Sequence, residues 1–236
     1  LYALKVLSVA SRTIRKRFLR EGRLQGAIQH PNIVPVHEVI EVRGHPALVM
    51  DFVEGIDLEL LMERCALGDH QRDQIARGIL RGVMAAHSNG LVHRDLKPSN
   101  ILIETKDAVL NARITDFGIA KLIRDDQARN LTRTGASMGT PGYMSPEQIQ
   151  DSRAVDVRAD VFSIGAVLYE LMVGRQAFDG MNIMDVWSRV TAGEYVPVDT
   201  LRPELPVGIV SAIHRALEPD LERRFSDVKS LHEAWI

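Results

Sequence analysis

One cysteine, Cys65, stands among 236 residues. That excludes an intramolecular disulfide and any metal site built from several thiolates, and it fits a reducing compartment. Charge of one sign is scarce as well: 29 Lys and Arg against 31 Asp and Glu leave a formal net charge of −2. No overall basic field exists to hold nucleic acid or an anionic membrane, so nucleic acid is not expected as a partner and charged recognition must be local. Long hydrophobic runs are missing too. No apolar stretch reaches the roughly 18 to 20 residues of a membrane span, and the first 17 residues are too basic and too interrupted for a secretory signal. The expectation is a cytoplasmic chain, with any membrane anchor lying outside this sequence. Internal repeats and low-complexity tracts are also lacking.

What is present suits one or two globular units with a sizeable core: 45% of residues are hydrophobic and 25% charged. The chain opens without an initiator Met in the strand-like run Leu1-Tyr2-Ala3-Leu4-Lys5-Val6-Leu7 and closes inside a helical pattern at Trp235-Ile236, so it reads as an excised piece. A helix is expected over 13–29, poor in its second half because of Gly22 and Gly26, and stopped by His30-Pro31-Asn32. Strand-like runs at 33–42 and 46–53 flank Arg43-Gly44-His45, as in a hairpin. After Glu54-Gly55 the texture turns helical. Ile75, Ile79, Val83 and Ala86 share one face before Asn89-Gly90, and 161–173 is apolar nearly all round, which predicts a helix buried on most sides. Further helices are expected near 181–192, 208–217 and 226–235, with a loop-like stretch at 124–142. The expected fold class is α+β: a small strand-rich lobe over 1–54 and a larger helical lobe over 55–236.

The sharpest signal is His93-Arg94-Asp95-Leu96-Lys97-Pro98-Ser99-Asn100-Ile101-Leu102, followed by Asp116-Phe117-Gly118. Alone, Asp-Phe-Gly is a common turn and a single Asp a cap or solvated charge. As an ordered set the segment resembles the catalytic loop and metal-binding turn of protein kinases. Phosphoryl transfer asks for in-line positioning and for cations against phosphate charge, and these residue types meet that demand. The resemblance implies Asp95 as the group that accepts or orients the proton of the attacking hydroxyl, with Lys97 beside the γ-phosphate. It implies ATP and Mg²⁺ as cofactors, the metal held by Asn100 and Asp116.

The likeness extends over nearly the whole chain. Ala3-Leu4-Lys5 resembles the strand whose lysine touches the α and β phosphates, with Glu21 on the following helix as its partner. The run 48–55 is similar to the strand and hinge between kinase lobes; Met50 becomes the residue behind the adenine, the backbones of Asp51 and Val53 its hydrogen-bonding edge, and Ala3 and Leu102 its roof and floor. Residues 140–147 resemble the end of an activation segment, with Ser145 where the family more often has Ala. Thr140 there implies contact with the base, Thr132 and Thr134 are candidate phosphorylation sites answered by Arg94, and Glu147 implies a buried pair with Arg224. Asp160 matches the kinase aspartate that binds the catalytic-loop backbone. Lys97 and Gly139-Thr140-Pro141 fit Ser/Thr rather than Tyr acceptors, and the pattern is most like bacterial kinases of eukaryotic type. A protein substrate is implied, and a second copy of the chain as partner for autophosphorylation.

Two departures stand out. The sequence starts at the third strand of the family pattern, without the Gly-rich loop, so tight nucleotide binding is not expected of this stretch alone. Gln25, four residues after Glu21, replaces an apolar residue expected to stack on Phe117, and its amide requires a partner. A pseudokinase scaffold and a small-molecule phosphotransferase are the rival readings; filled catalytic positions oppose the first, and the Pro146-Glu147 segment with its arginine opposes the second.

Overall fold

The computed structural model describes residues 1–7, 12–106, 109–117, 141–150 and 155–236. The first sheet is antiparallel, in the order β1-β3-β2, from β1 (Tyr2–Val6), β2 (Val36–Val42) and β3 (His45–Asp51). Arg43 and Gly44 both have positive φ, 50° and 82°, the two-residue turn whose twist matches a hairpin; His45 already belongs to β3. Helix α1 (Arg12–Gly26) lies across β2 and β3. A Cβ at Gly22 would sit 2.5 Å from Leu48 Cδ2, so the residue that weakens the helix is also what lets it approach the sheet. Phe18, Val34, Leu48 and Met50 form the core between them.

The second part holds more strand than its sequence suggests. β4 (Gly55–Asp57), β5 (Ile101–Lys106) and β6 (Val109–Ile114) make a second antiparallel sheet, in which Ile103 faces Ile56 and Ala112. Around it stand α2 (Leu58–Arg64), α3 (Asp69–Ser88), α4 (Pro146–Gln150), α5 (Val157–Val173), α6 (Ile183–Ala192), α7 (Val198–Leu201), α8 (Val207–Ala216) and α9 (Val228–Trp235). The α+β expectation holds, and the hydrophobic residues gather into two clusters, one under the first sheet and one among the helices. A short crossing joins the two sheets: the Val34 N–H donates to the Ile114 carbonyl and the Ile114 N–H to the Asn32 carbonyl, each at 2.9 Å.

Helix α5 is the expected pillar. The Asp156 carboxylate caps its start by accepting from the Arg158 N–H at 2.8 Å, and Gly174 ends it at φ 84°. Val161, Phe162, Ile164, Val167 and Leu168 are wholly buried, each such side chain contributing about 1.5 to 3 kcal/mol. Beside it the Arg224 side chain has no exposure. It forks onto Glu147, Nη1 to Oε1 at 2.9 Å and Nη2 to Oε2 at 3.2 Å, and its remaining donors reach the carbonyls of Glu218, Arg158 and Pro219. A guanidinium so enclosed is stable only while every donor is taken.

Replacing Glu147 by Ala strands that charge. Thermal or denaturant unfolding of the Glu147→Ala protein is expected to show a loss of about 3 to 5 kcal/mol, and Arg224→Lys, which cannot fork, is expected to fall between it and the parent.

Candidate active site

Residues 93–100 form an irregular loop after α3 that ends in a single 3-10 turn, Pro98–Asn100, with proline at its first position. Asp160, in the first turn of α5, holds it down. Its Oδ2 accepts from the His93 N–H and from His87 Nε2, and its Oδ1 from the Arg94 N–H, all at 2.7 Å. Burial acts to raise the pKa of this fully enclosed carboxyl, but the hydrogen bond and charge of His87, with His93 and the Arg94 amide, hold it below the usual aspartate value. The expected tie to the catalytic loop is therefore present. His87, in the last turn of α3, is a third member that the sequence reading missed; nothing in its local pattern separates it from an ordinary helix-end histidine.

The loop is fastened to the end of β6 as well. His93 is buried; its Nδ1 accepts from the Asp95 N–H at 3.3 Å, which places the proton on Nε2, donated to the Thr115 carbonyl at 2.9 Å. The Thr115 N–H donates to the Asn100 carbonyl at 3.0 Å, and the Phe117 ring lies 4.8 Å from the His93 ring. Asp95 thereby faces Lys97, whose Nζ is 3.6 Å from Oδ2. Asn100 Nδ2 donates to the Asp95 carbonyl at 2.8 Å and to its Oδ2 at 3.3 Å. Since that side-chain nitrogen is committed to Asp95, the side-chain Oδ1 of Asn100 is the end turned away, an oxygen of the kind a hard cation takes.

Asp116 takes φ 68° and pairs with Lys5, Nζ to Oδ1 at 2.5 Å. The structure thus gathers Asp95, Lys97 and Asn100, pairs Asp116 with Lys5 of β1, and links the two groups through the Thr115 N–H to Asn100 carbonyl bond. Glu21, expected beside Lys5, is half-buried on α1. Strand register sets Ala3 opposite Met50, which is buried, and Lys5 opposite Leu48. Val53 is buried in the small core, and Leu102 packs against that core from β5. The Asp51 N–H donates to the Pro35 carbonyl at 3.1 Å and its carboxylate meets His37 Nε2 at 2.6 Å. Gln25 is buried, and its amide finds its partner in the Val34 carbonyl at 3.0 Å. Thr132, Thr134 and Thr140 lie outside the described residues. Among the described residues no three His, Cys, Asp or Glu side chains gather as a metal site, and no helix is long and apolar enough to cross a membrane. A two-residue donor set of one carboxylate and one amide oxygen fits a metal that takes its other ligands from phosphates and water, as Mg²⁺ does.

Lysine, carboxylates and an asparagine in two linked groups, on a loop tied to a buried aspartate, are the residue types that phosphoryl transfer uses. The protein kinase domain model matches residues 1–236, and the chain belongs to the protein kinase family. Similar relatives include the Ser/Thr-protein kinase pkn2 of Myxococcus xanthus, 35% identical over 93% of this chain and 26% of that protein. The probable Ser/Thr-protein kinase PknB of Lactococcus lactis is 33% identical over 91% of this chain and 33% of its own length. Among solved structures, Rad53 1-466 in complex with AMP-PNP has a TM-score of 0.79 at 30% identity, covering all of this chain and 58% of that one. The Mycobacterium tuberculosis PknI kinase domain has a TM-score of 0.76 at 27% identity, covering 99% and 83%. The chain spans about a quarter to a third of the length of these two curated relatives.

Asp160 also sets a pH dependence. A carboxyl whose folded pKa lies below its unfolded value, about 3.9, adds stability that is complete above that value and lost as pH falls through the folded one. Unfolding free energies measured from neutral pH downward are expected to decline in that acid window, and the decline is expected to be shallower for Asp160→Asn.

Proposed function

We propose that the protein transfers the γ-phosphoryl group of ATP to a Ser or Thr hydroxyl of a protein substrate. The observation that supports this reading is the pair of groups itself: Asp95 beside Lys97 and Asn100, and Asp116 beside Lys5, with the Thr115 N–H to Asn100 carbonyl bond linking the two. Asp95 orients the acceptor hydroxyl and takes its proton as the oxygen attacks the γ-phosphorus in line, the bond to the β–γ bridging oxygen breaking and ADP leaving. Lys97 lies close enough to offset charge on the transferring group. Lys5, which neutralises Asp116 in the structure, turns on this reading to the α and β phosphates, with Glu21 as its anchor. Asn100 and Asp116 are the residues that would hold Mg²⁺, and a metal there would supply positive charge against the phosphate oxygens. Met50, Ala3, Leu102 and the backbone of Asp51 and Val53 enclose the adenine. The kinase domain acts in the cytoplasm, and a second copy serves as a substrate for autophosphorylation.

The intact protein, given labelled Mg-ATP and a generic basic protein, is expected to transfer phosphate to Ser or Thr. Asp95→Asn and Asp116→Ala are each expected to lower the rate by about 10³-fold or more. Near-parental turnover in either variant removes the assignment of base or metal ligand.

Phosphorylation at Thr132 or Thr134 is the proposed activating step. Arg94 supports it: its Nε is buried with no hydrogen-bond partner among the described residues, a donor suited to a phosphate oxygen. Mass spectrometry of active enzyme is expected to find phosphate on one of these threonines, and full activity with both unmodified rejects the step.

A further inference from the structure

Ser145 departs from the family's usual alanine, and nothing so far accounts for it. In the fold it is completely buried at the start of α4. Its N–H and its hydroxyl both donate to Gln148 Oε1, at 3.1 and 3.2 Å. Ser145-Pro146-Glu147-Gln148 is thus a capping arrangement, with serine before the helix, proline at its first position and glutamine reaching back from its third. Two donors on Oε1 fix the orientation of the glutamine amide, so its nitrogen must point the other way. There Nε2 donates to the Arg94 carbonyl at 2.8 Å. That carbonyl belongs to the Arg94-Asp95 peptide, whose N–H end donates to His93 Nδ1 at 3.3 Å. Both ends of the peptide that carries Asp95 are held, one from within the loop and one from α4. The hold opposes a backbone that would not stay in place alone, because Arg94 has φ 65°.

We infer that Gln148 is a positioning residue for phosphoryl transfer: its amide, oriented by Ser145, fixes the plane of the Arg94-Asp95 peptide and so the aim of the Asp95 carboxylate. The inference rests on the reading of Asp95 as the base. Gln148 itself touches no reacting group. It couples the segment that precedes α5 to the catalytic loop, and disturbing it affects the chemical step more than nucleotide binding, since Lys5, Met50 and Leu102 stand on other elements.

Gln148→Glu separates positioning from folding. A glutamate at this place still accepts from Ser145 and serves a helix start as well as glutamine does, but its ionised carboxylate cannot donate to the Arg94 carbonyl. In the intact protein, kcat is expected to fall about tenfold to a hundredfold. KM for ATP is expected to stay within about twofold and the melting temperature within a few degrees of the parent. Gln148→Met, of similar length and without either amide group, is expected to show the same loss of kcat and carries the test should the glutamate variant fail to fold. Parental kcat in a folded variant of either kind overturns the inference, as does a loss of kcat that only follows a fall in the folded fraction. Asp95→Asn is measured alongside: if it is inactive while Gln148→Glu keeps parental kcat, the positioning role alone is wrong, and if Asp95→Asn is itself active, the reading of the base fails first.

Discussion

A carboxylate shut off from water has to be met by donors on every side, and Asp160 meets this condition by binding the backbone of the loop that carries the proposed base. Its desolvation is offset by three N–H groups at 2.7 Å, from His87, His93 and Arg94. The dependence runs both ways. Without the loop in place the carboxylate would be buried and unpaired, and without the carboxylate two backbone N–H groups would be orphaned. Helix α5 supplies the rigidity: its apolar flanks leave it no freedom to shift, so a group in its first turn is a fixed reference for the loop above it.

From that reference the site builds outward through hydrogen bonds to backbone more than through contacts between side chains. His93 carries the loop to Thr115, and Thr115 returns to Asn100. Asn100 grips the Asp95 carbonyl. Asp116 follows directly from Thr115, so the proposed base and the proposed metal ligands are set relative to one another through the main chain. This explains why the polar residues here are so little exposed: His93, Asn100, Thr115 and Asp160 are all buried, and each is used.

Much of this was open to sequence reasoning because the chemistry constrains residue type and order. Phosphoryl transfer needs a base, a cation and metal-binding oxygens close together, and a short loop can place them only at fixed spacings. The buried helix was legible because an all-round apolar run has no solvent face, and Glu147 with Arg224 only through the resemblance to kinases, since the two lie 77 residues apart. Elsewhere the local signal was too weak. β5 and β6 are six residues each, and their alternation of buried Ile101 and Ile103 with less buried Leu102 and Glu104 is short enough to be lost between helices. The pairing of Lys5 with Asp116 joins residues 111 apart in the chain, a distance over which no periodicity speaks. Ser145 and Gln148 lay in plain view as a capping pattern, but the pattern says only that a helix begins, not where the spare amide nitrogen goes.

The backbone tells which parts of the site need this support. Arg94 and Asp116, the two positive-φ residues of the site among the described residues, have φ of 65° and 68°. Aspartate visits that region readily because its short side chain can bond locally, and Asp116 does so beside the Thr115 hydroxyl, which donates to its Oδ1 at 3.4 Å. Arginine has no such help, and holding it there costs about 1 to 3 kcal/mol. Two short tethers fall on that residue: the Asp160 carboxylate on its N–H and the Gln148 amide on its carbonyl. Local preference and required geometry conflict most at the residue preceding the proposed base, and the fold resolves the conflict from α5 on one side and α4 on the other. A site arranged in this way is held by its surroundings as well as by its own loop, so a lever on Asp95 lies in the two helices that grip its neighbour.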